Sequence, residues 1–265
     1  MISPLSPLHE TLHKQTAKEM IRDKIVSMIA SGILQIGDEL PSERELSTML
    51  MVSRETVRGA IQLLAGEGVV QVSQGARTRV SRVDVNVSTQ RIGVTNPTSI
   101  NGYSLEAVHA ARLLVETAVV ADATRNLSAN DIRRLEDSIA AQEQAFNDPV
   151  RFLICDREFH LTIYYASTNK LLADFVVDLY TYMLDHRRIA MGQPGAIEKS
   201  LEDHRFIVRA LKMRNPEAVA AAFSEHILRI HDTSLAVDEG GLAVRASSPQ
   251  APFPSMPPAG SKESA

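Results

Sequence analysis

The sequence predicts a mainly α-helical protein in two parts: a small N-terminal unit of three helices and a β-hairpin, then an antiparallel all-helical bundle of about six helices. Three observations carry this. Apolar residues recur at helical spacing through most of the chain, above all from residue 104 onward. One run, VVQVSQGARTRVSRV (69–83), instead reads as two short strands around a turn at Gly75. Between the two parts, residues 83–103 are polar, β-branched and punctuated by Pro and Gly, which marks a linker. A length of 265 residues suits two domains, and 44% hydrophobic residues are enough to give each a core.

The elements follow in order. Residues 1–15 form a tail without period, and the first domain spans 16–82. Its first helix runs from about Thr16 to Ser31, with Met20, Ile21, Ile25, Met28 and Ile29 on one face and Gly32 as the stop. ILQIGDELP is a turn-rich connector. Ser42 and Glu45 make a capping box that opens a short second helix to about Leu50. Ser53 caps a third from Arg54 to about Ala65, and the hairpin follows. The second domain spans 104–237, with helices at about 104–126, 129–146, 149–167, 169–191, 196–213 and 216–237. Ser104, Ser128 or Asn130, Asp148–Pro149 and Asn215–Pro216 supply start signals. Residues 238–265 are rich in Pro, Ser and Ala, lack a period, and read as a disordered tail.

Composition narrows the class of function. A single cysteine, Cys155, excludes a disulfide framework and fits a reducing, cytoplasmic setting. The N-terminus lacks a signal-peptide pattern, and no run is apolar enough to cross a membrane. The net charge is −4, yet residues 54–82 carry five arginines against two glutamates. A basic stretch in an acidic chain points to an anionic partner for that stretch, although so small an excess also occurs on ordinary solvated faces.

The first domain has the order of a winged helix-turn-helix. Arg54 and Arg58 stand at i and i+4 at the start of the third helix, on one face. A recognition helix reads bases with its N-terminal residues, and arginine is the best reader of guanine. Arg44, near the start of the preceding helix, is placed to reach a base or phosphate. Ser42, Ser53 and Thr56 lie at helix starts, where hydroxyls and free N–H groups hold phosphates. Gly75 at the hairpin tip lets the backbone approach DNA closely. Any one of these arginines alone would read as a solvated surface residue; the ordered set does not. The segment DELPSERELSTMLMVSRETVRGAIQLLAGEGVVQVSQGARTRV resembles the DNA-binding domain of the GntR superfamily over roughly residues 16–82. Likeness to its FadR subfamily implies base or backbone contacts from Arg44, Arg54, Arg58 and Gly75. The partner is then a double-stranded operator, an inverted repeat bound by a homodimer.

In the second domain Asp156 and His160 stand at i and i+4. His204 lies 11 residues before Asn215 and His226 lies 11 after it. In an antiparallel helix pair equal distances from the turn bring two residues to one level, about 16 Å from it. Three imidazoles and a carboxylate suit Zn²⁺, Ni²⁺, Mn²⁺ or Fe²⁺, although a lone helical histidine is more often a surface or core residue than a ligand. Residues 104–236 are similar to the FCD ligand-binding domain, through ARLLVETA at 111–118, DREFH at 156–160, ASTN at 166–169 and DHRFIVRAL at 203–211. That resemblance implies a metal set of Asp156, His160, His204 and His226. It further implies a small carboxylate effector, a hydroxy acid or sugar acid, completing the coordination and facing Arg112, with Asn169 as a further effector residue. Arg112 has a competing partner in Glu116, one turn on. The function expected is a transcription regulator, a repressor under carboxylate control. Two others stay open: a regulator whose signal is the metal itself, and a metalloenzyme fused to a DNA-binding module.

Overall fold

The computed structural model describes residues 15–72, 77–81 and 103–247. Gly75 and most of the linker lie outside the described residues, as do the tail before residue 15 and the residues after 247. The chain is mainly α-helical, with a small N-terminal helix-turn-helix unit and a larger C-terminal helical domain.

In the first domain α1 (Ala17–Ala30), α2 (Glu43–Met49) and α3 (Arg54–Gly66) each begin at a capped residue. Thr16 with Glu19 and Ser42 with Glu45 form reciprocal capping boxes, and Ser53 accepts from the Thr56 N–H at 3.1 Å. The buried faces of α1 and α3 meet through Ile21, Ile25, Met28, Val57, Ile61 and Leu64. The wing pairs β1 (Val70–Gln71) with β2 (Arg79–Val80), Val70 opposite Val80. The connector before α2 does more than turn. Gly37, at φ +87°, donates to the Val80 carbonyl, Val80 donates to Asp38 and Leu40 donates to Thr78, so residues 37–40 line β2 as an extra edge.

The second domain contains α4 (Leu105–Asn126), α5 (Ala129–Gln144), α6 (Pro149–Tyr164), α7 (Lys170–Tyr182), α8 (Leu184–Met191), α9 (Ala196–Lys212) and α10 (Pro216–Ser247). Two features depart from the sequence reading. The single helix expected over 169–191 is broken at Met183, whose N–H bonds the Tyr180 carbonyl three residues back. The Thr181 hydroxyl back-bonds the Val177 carbonyl at 2.7 Å, a contact that bends helices and leaves no Gly or Pro to announce it. The last helix also continues to Ser247 instead of ending near 237, so part of the expected tail is helical.

Helix α6 is the axis of this domain. From Phe152 to Leu161 every side chain is buried, as are Ile163 and Tyr164, so it has no solvent face. It packs against α4, α5, α7 and α8 and also touches α2 of the first domain. The domains are joined by a set of ion pairs. Arg188 on α8 grips Asp38 with two bonds, 2.6 and 3.1 Å, and donates to the Ile33 carbonyl at 2.5 Å. From α6, Arg151 reaches Glu45 at 2.5 Å, Arg157 reaches Ser27 at 3.3 Å, and Glu158 pairs with Lys24.

Arg188→Ala should weaken this docking by roughly 1 kcal/mol, since the pair is bidentate but partly solvated. The expected outcome is faster limited proteolysis between residues 81 and 103. An unchanged cleavage rate would show that Arg188 does not hold the domains together.

Candidate functional site

In the first domain Arg44, Arg54 and Arg58 are all exposed. Arg54 begins α3 and is solvent-exposed. Arg58, one turn on, forks onto Glu43 of α2 at 2.9 and 3.1 Å across the exposed face. Arg44 is exposed on α2 and borders a cleft of about 360 Å³ against Gln144 and Arg151 of the second domain. The hydroxyls of Ser42 and Ser53 cap helices, and the Thr56 hydroxyl bonds Ser53 at 2.8 Å. These three side chains therefore shape the helix starts.

The second site is a closed cage in the helical domain. Asp156, His160 and Tyr164 lie on one stripe of α6, His204 comes from α9 and His226 from α10, and all are fully buried. The His226 Nε2 lies 3.3 Å from the His160 Nε2. The Asp156 Oδ1 lies 3.4 Å from the His204 Nε2 and 3.8 Å from the His160 Nε2. Ligand nitrogens of the three histidines fall within 4.8 Å of one another. Four donors around a Zn²⁺-like ion at about 2.0–2.1 Å would be separated by roughly 3.3 Å in a tetrahedron. Two of the observed spacings, 3.3 Å between His160 and His226 and 3.4 Å between Asp156 and His204, match that edge, and the 3.8 Å between Asp156 and His160 is longer.

The other ring nitrogens are already held. The Nδ1 of His204 meets the Gln142 Oε1 at 2.7 Å, that of His226 meets the Asp203 Oδ2 at 3.1 Å, and that of His160 meets the Tyr164 hydroxyl at 3.2 Å. Tyr164 in turn donates to the Glu116 Oε2 at 2.6 Å. With each Nδ1–H donating outward, each Nε2 presents its lone pair inward, the tautomer a metal requires. Burial holds all three imidazoles well below the ordinary histidine pKa, with the neighbouring positive groups adding to it, so protons do not compete for these nitrogens at neutral pH. The His204 Nε2 has no hydrogen-bond partner. A buried imidazole nitrogen facing two others and a carboxylate fits a divalent ion.

Charge around the cage is supplied by two buried arginines. Arg187 on α8 donates to the Asp156 Oδ1 at 2.8 Å, and the Tyr180 hydroxyl donates to Oδ2 at 2.5 Å. Arg112 on α4 donates through Nε to Glu116 at 2.5 Å. Burial opposes the charge on Arg112, but Glu116 together with Tyr164 and Tyr180 outweighs it and holds the pKa above the usual arginine value. The Nη2 of Arg112 and the Nε and Nη1 of Arg187 are buried without partners.

Residues 17–80 match the family described as bacterial regulatory proteins, gntR family, and residues 107–229 match the FCD domain. The chain is 27% identical to the HTH-type transcriptional repressor NanR of Cronobacter sakazakii over 86% of its length and 89% of that protein. It is 25% identical to NanR of Salmonella arizonae, covering 87% and 90% of the two chains. Among solved structures, Escherichia coli McbR/YncC aligns with a TM-score of 0.50 at 19% identity, over 86% of this chain and 99% of that one, a likeness of fold. The chain belongs to the GntR family and carries an FCD domain.

The regulator is thus a DNA-binding transcription factor and not an enzyme. Its structure brings Asp156, His160, His204, His226 and Arg112 together and leaves Asn169 out. Asn169 caps α7, its Oδ1 accepting from the Leu172 N–H at 3.1 Å, and it is exposed. An Asn at a helix start needs no further role to account for it. Cys155, next to Asp156, is buried on another face of α6, and burial pushes its thiol up to about 12. Sequence reasoning missed Gln142, Tyr164, Tyr180, Arg187 and Asp203. Tyr164 continues the i, i+4 stripe of Asp156 and His160 and was findable; the others reach the cage from separate helices with no local signal.

Two expectations follow from this geometry. The purified regulator should hold about one divalent ion per chain, and His204→Ala should abolish it, while Gln142→Leu should weaken it about 10–100-fold by freeing the His204 ring. Elemental analysis with a chelator competition checks both, and equal occupancy in all three proteins would remove the cage as the site. On the DNA side, Arg54→Ala and Arg58→Ala should each cut the preference for operator over random DNA roughly 5–100-fold. Fluorescence anisotropy against both DNAs reads this, and an unchanged ratio in either variant would reject that arginine as a base reader.

Proposed function

We propose that the regulator is a FadR-type repressor of the cytoplasm that binds an inverted-repeat operator as a homodimer and releases it when a small carboxylate enters the helical domain. One observation carries the reading: three inward-facing Nε2 atoms and the Asp156 carboxylate converge beside a buried Arg112 whose Nη2 is unpaired. Repression is the role named for the NanR relatives, and a single winged helix has too few base contacts for operator specificity without a symmetric partner. Asp156, His160, His204 and His226 would hold the ion, which supplies an electrophilic anchor for a carboxylate or hydroxyl oxygen. Arg112 would hold the carboxylate by a charge-assisted hydrogen bond.

The route outward runs through the two helices that serve both domains. On α6, Asp156 and His160 face the cage while Arg157 and Glu158 meet Ser27 and Lys24 of α1. On α8, Arg187 bonds Asp156 while Arg188 grips Asp38. A ligand that shifts either helix strains the contacts holding the DNA-binding domain, so it has unequal affinity for docked and undocked arrangements, as a switch requires.

A second reading has one observation in its favour: the four donors alone could close a tetrahedron, making the ion itself structural or the signal. The unpaired arginine nitrogens have no purpose in that reading. Titrating the metal-loaded protein on operator DNA with small hydroxy acids and sugar acids separates the two. The proposal expects at least one acid to weaken operator binding, and Arg112→Ala to blunt that response while leaving DNA affinity without acid unchanged. Operator binding that follows metal alone, indifferent to every acid, would overturn it.

A further inference from the structure

The cage has more buried cationic capacity than a simple carboxylate can use. Its buried ionic groups are Arg112 and Arg187 against Glu116 and Asp156, which cancel. The three imidazoles are neutral as ligands, and the Tyr164 and Tyr180 hydroxyls act as neutral donors to Glu116 and Asp156. Asp203, beneath His226, is matched by Arg229. Among the described residues, nothing further balances the two positive charges that a divalent ion adds. Uncompensated charge in a closed, low-dielectric interior is strongly unfavourable, so a bound ligand gains most by bringing both negative charges with it.

Position matches this count. Arg187 is completely buried, yet only its Nη2 is bonded, to Asp156, while Nε and Nη1 have no partner. Arg112 is likewise buried with Nη2 free. The two guanidiniums border the same aromatic ring, Tyr180, with Cζ atoms 6.0 Å and 5.3 Å from its centroid. Buried donors are nearly always satisfied, and two sets of them flanking one ring mark two anion-binding points, not one.

Resting on the carboxylate reading above, we infer that the effector is a dianion, a dicarboxylic hydroxy acid or an acid of equal charge, whose second acidic group is held by Arg187. Arg112 and the ion take the first acidic group, and Arg187 is the residue that selects for the second.

The test compares matched acids on the zinc-loaded full-length protein by isothermal titration calorimetry: malate against 2-hydroxybutyrate, and 2-hydroxyglutarate against 2-hydroxyvalerate. Zinc content is measured before and after, so that stripping of the ion is not counted as binding. In at least one pair the dianion should bind roughly tenfold or more tightly than its monocarboxylate partner. In Arg187→Gln that preference should fall to about two- to threefold with zinc retained, and Arg187→Lys, which keeps the charge, should restore part of it. Monocarboxylates binding as well as their partners would overturn the inference and leave the carboxylate reading standing. So would a preference that survives in zinc-retaining Arg187→Gln. Should that variant lose zinc, the wild-type pairs and Arg187→Lys decide. Zinc-loaded protein that binds none of the four acids, nor any monocarboxylate sugar acid such as gluconate, would overturn both.

Discussion

Asp156 is a carboxylate with no access to water, on a helix with no solvent face. A charge in that position is tolerable only if every oxygen is met. Much of the helical domain can be understood as meeting it. Tyr180 comes from the end of α7 and Arg187 from the middle of α8, and they take one oxygen each. Both reach the same carboxylate from either side of the helix break at Met183. His160 and His204 then stand beside the Oδ1, and His226 closes the group from α10.

The same constraint ties the helical domain to the DNA-binding domain. Successive residues on a helix point about 100° apart, so a helix that offers one residue to an interior site offers the next to a neighbour. Arg187 and Arg188 are such a pair, and Asp156 with Arg157 is another. The docking contacts of the first domain are thus one residue away from the groups that surround the cage. Coupling needs no separate pathway under this arrangement: two rigid helices each have one end of the interaction in either domain. The contacts on the first-domain side are polar and partly solvated, the sort of interface that can open without unfolding either part.

The DNA-binding half is built differently, from local signals. Each of its helices starts at a side-chain cap, and its core is a plain apolar cluster. Its one surprise, the pairing of residues 37–40 with β2, fixes the wing against the body of the domain through backbone bonds. The fork between Arg58 and Glu43 likewise links α3 to α2 across the exposed face.

How much of this was legible in the sequence follows from the range of each interaction. Caps, apolar periodicity and the i, i+4 relation of Asp156 and His160 are local, and the helices, the two-part plan and half of the cage follow from them. The equal distances of His204 and His226 from Asn215 extend that reach to a helix pair, because a tight antiparallel turn converts sequence distance into height. Three things were decided only by tertiary structure. Asn169 caps a helix at the surface; Arg187, Tyr180, Gln142 and Asp203 supply the cage's partners; the helix breaks at Met183. Those depend on which faces of separate helices are pressed together, and a buried charge chooses its partners from whatever side chains packing brings within about 3 Å, wherever they stand in the chain.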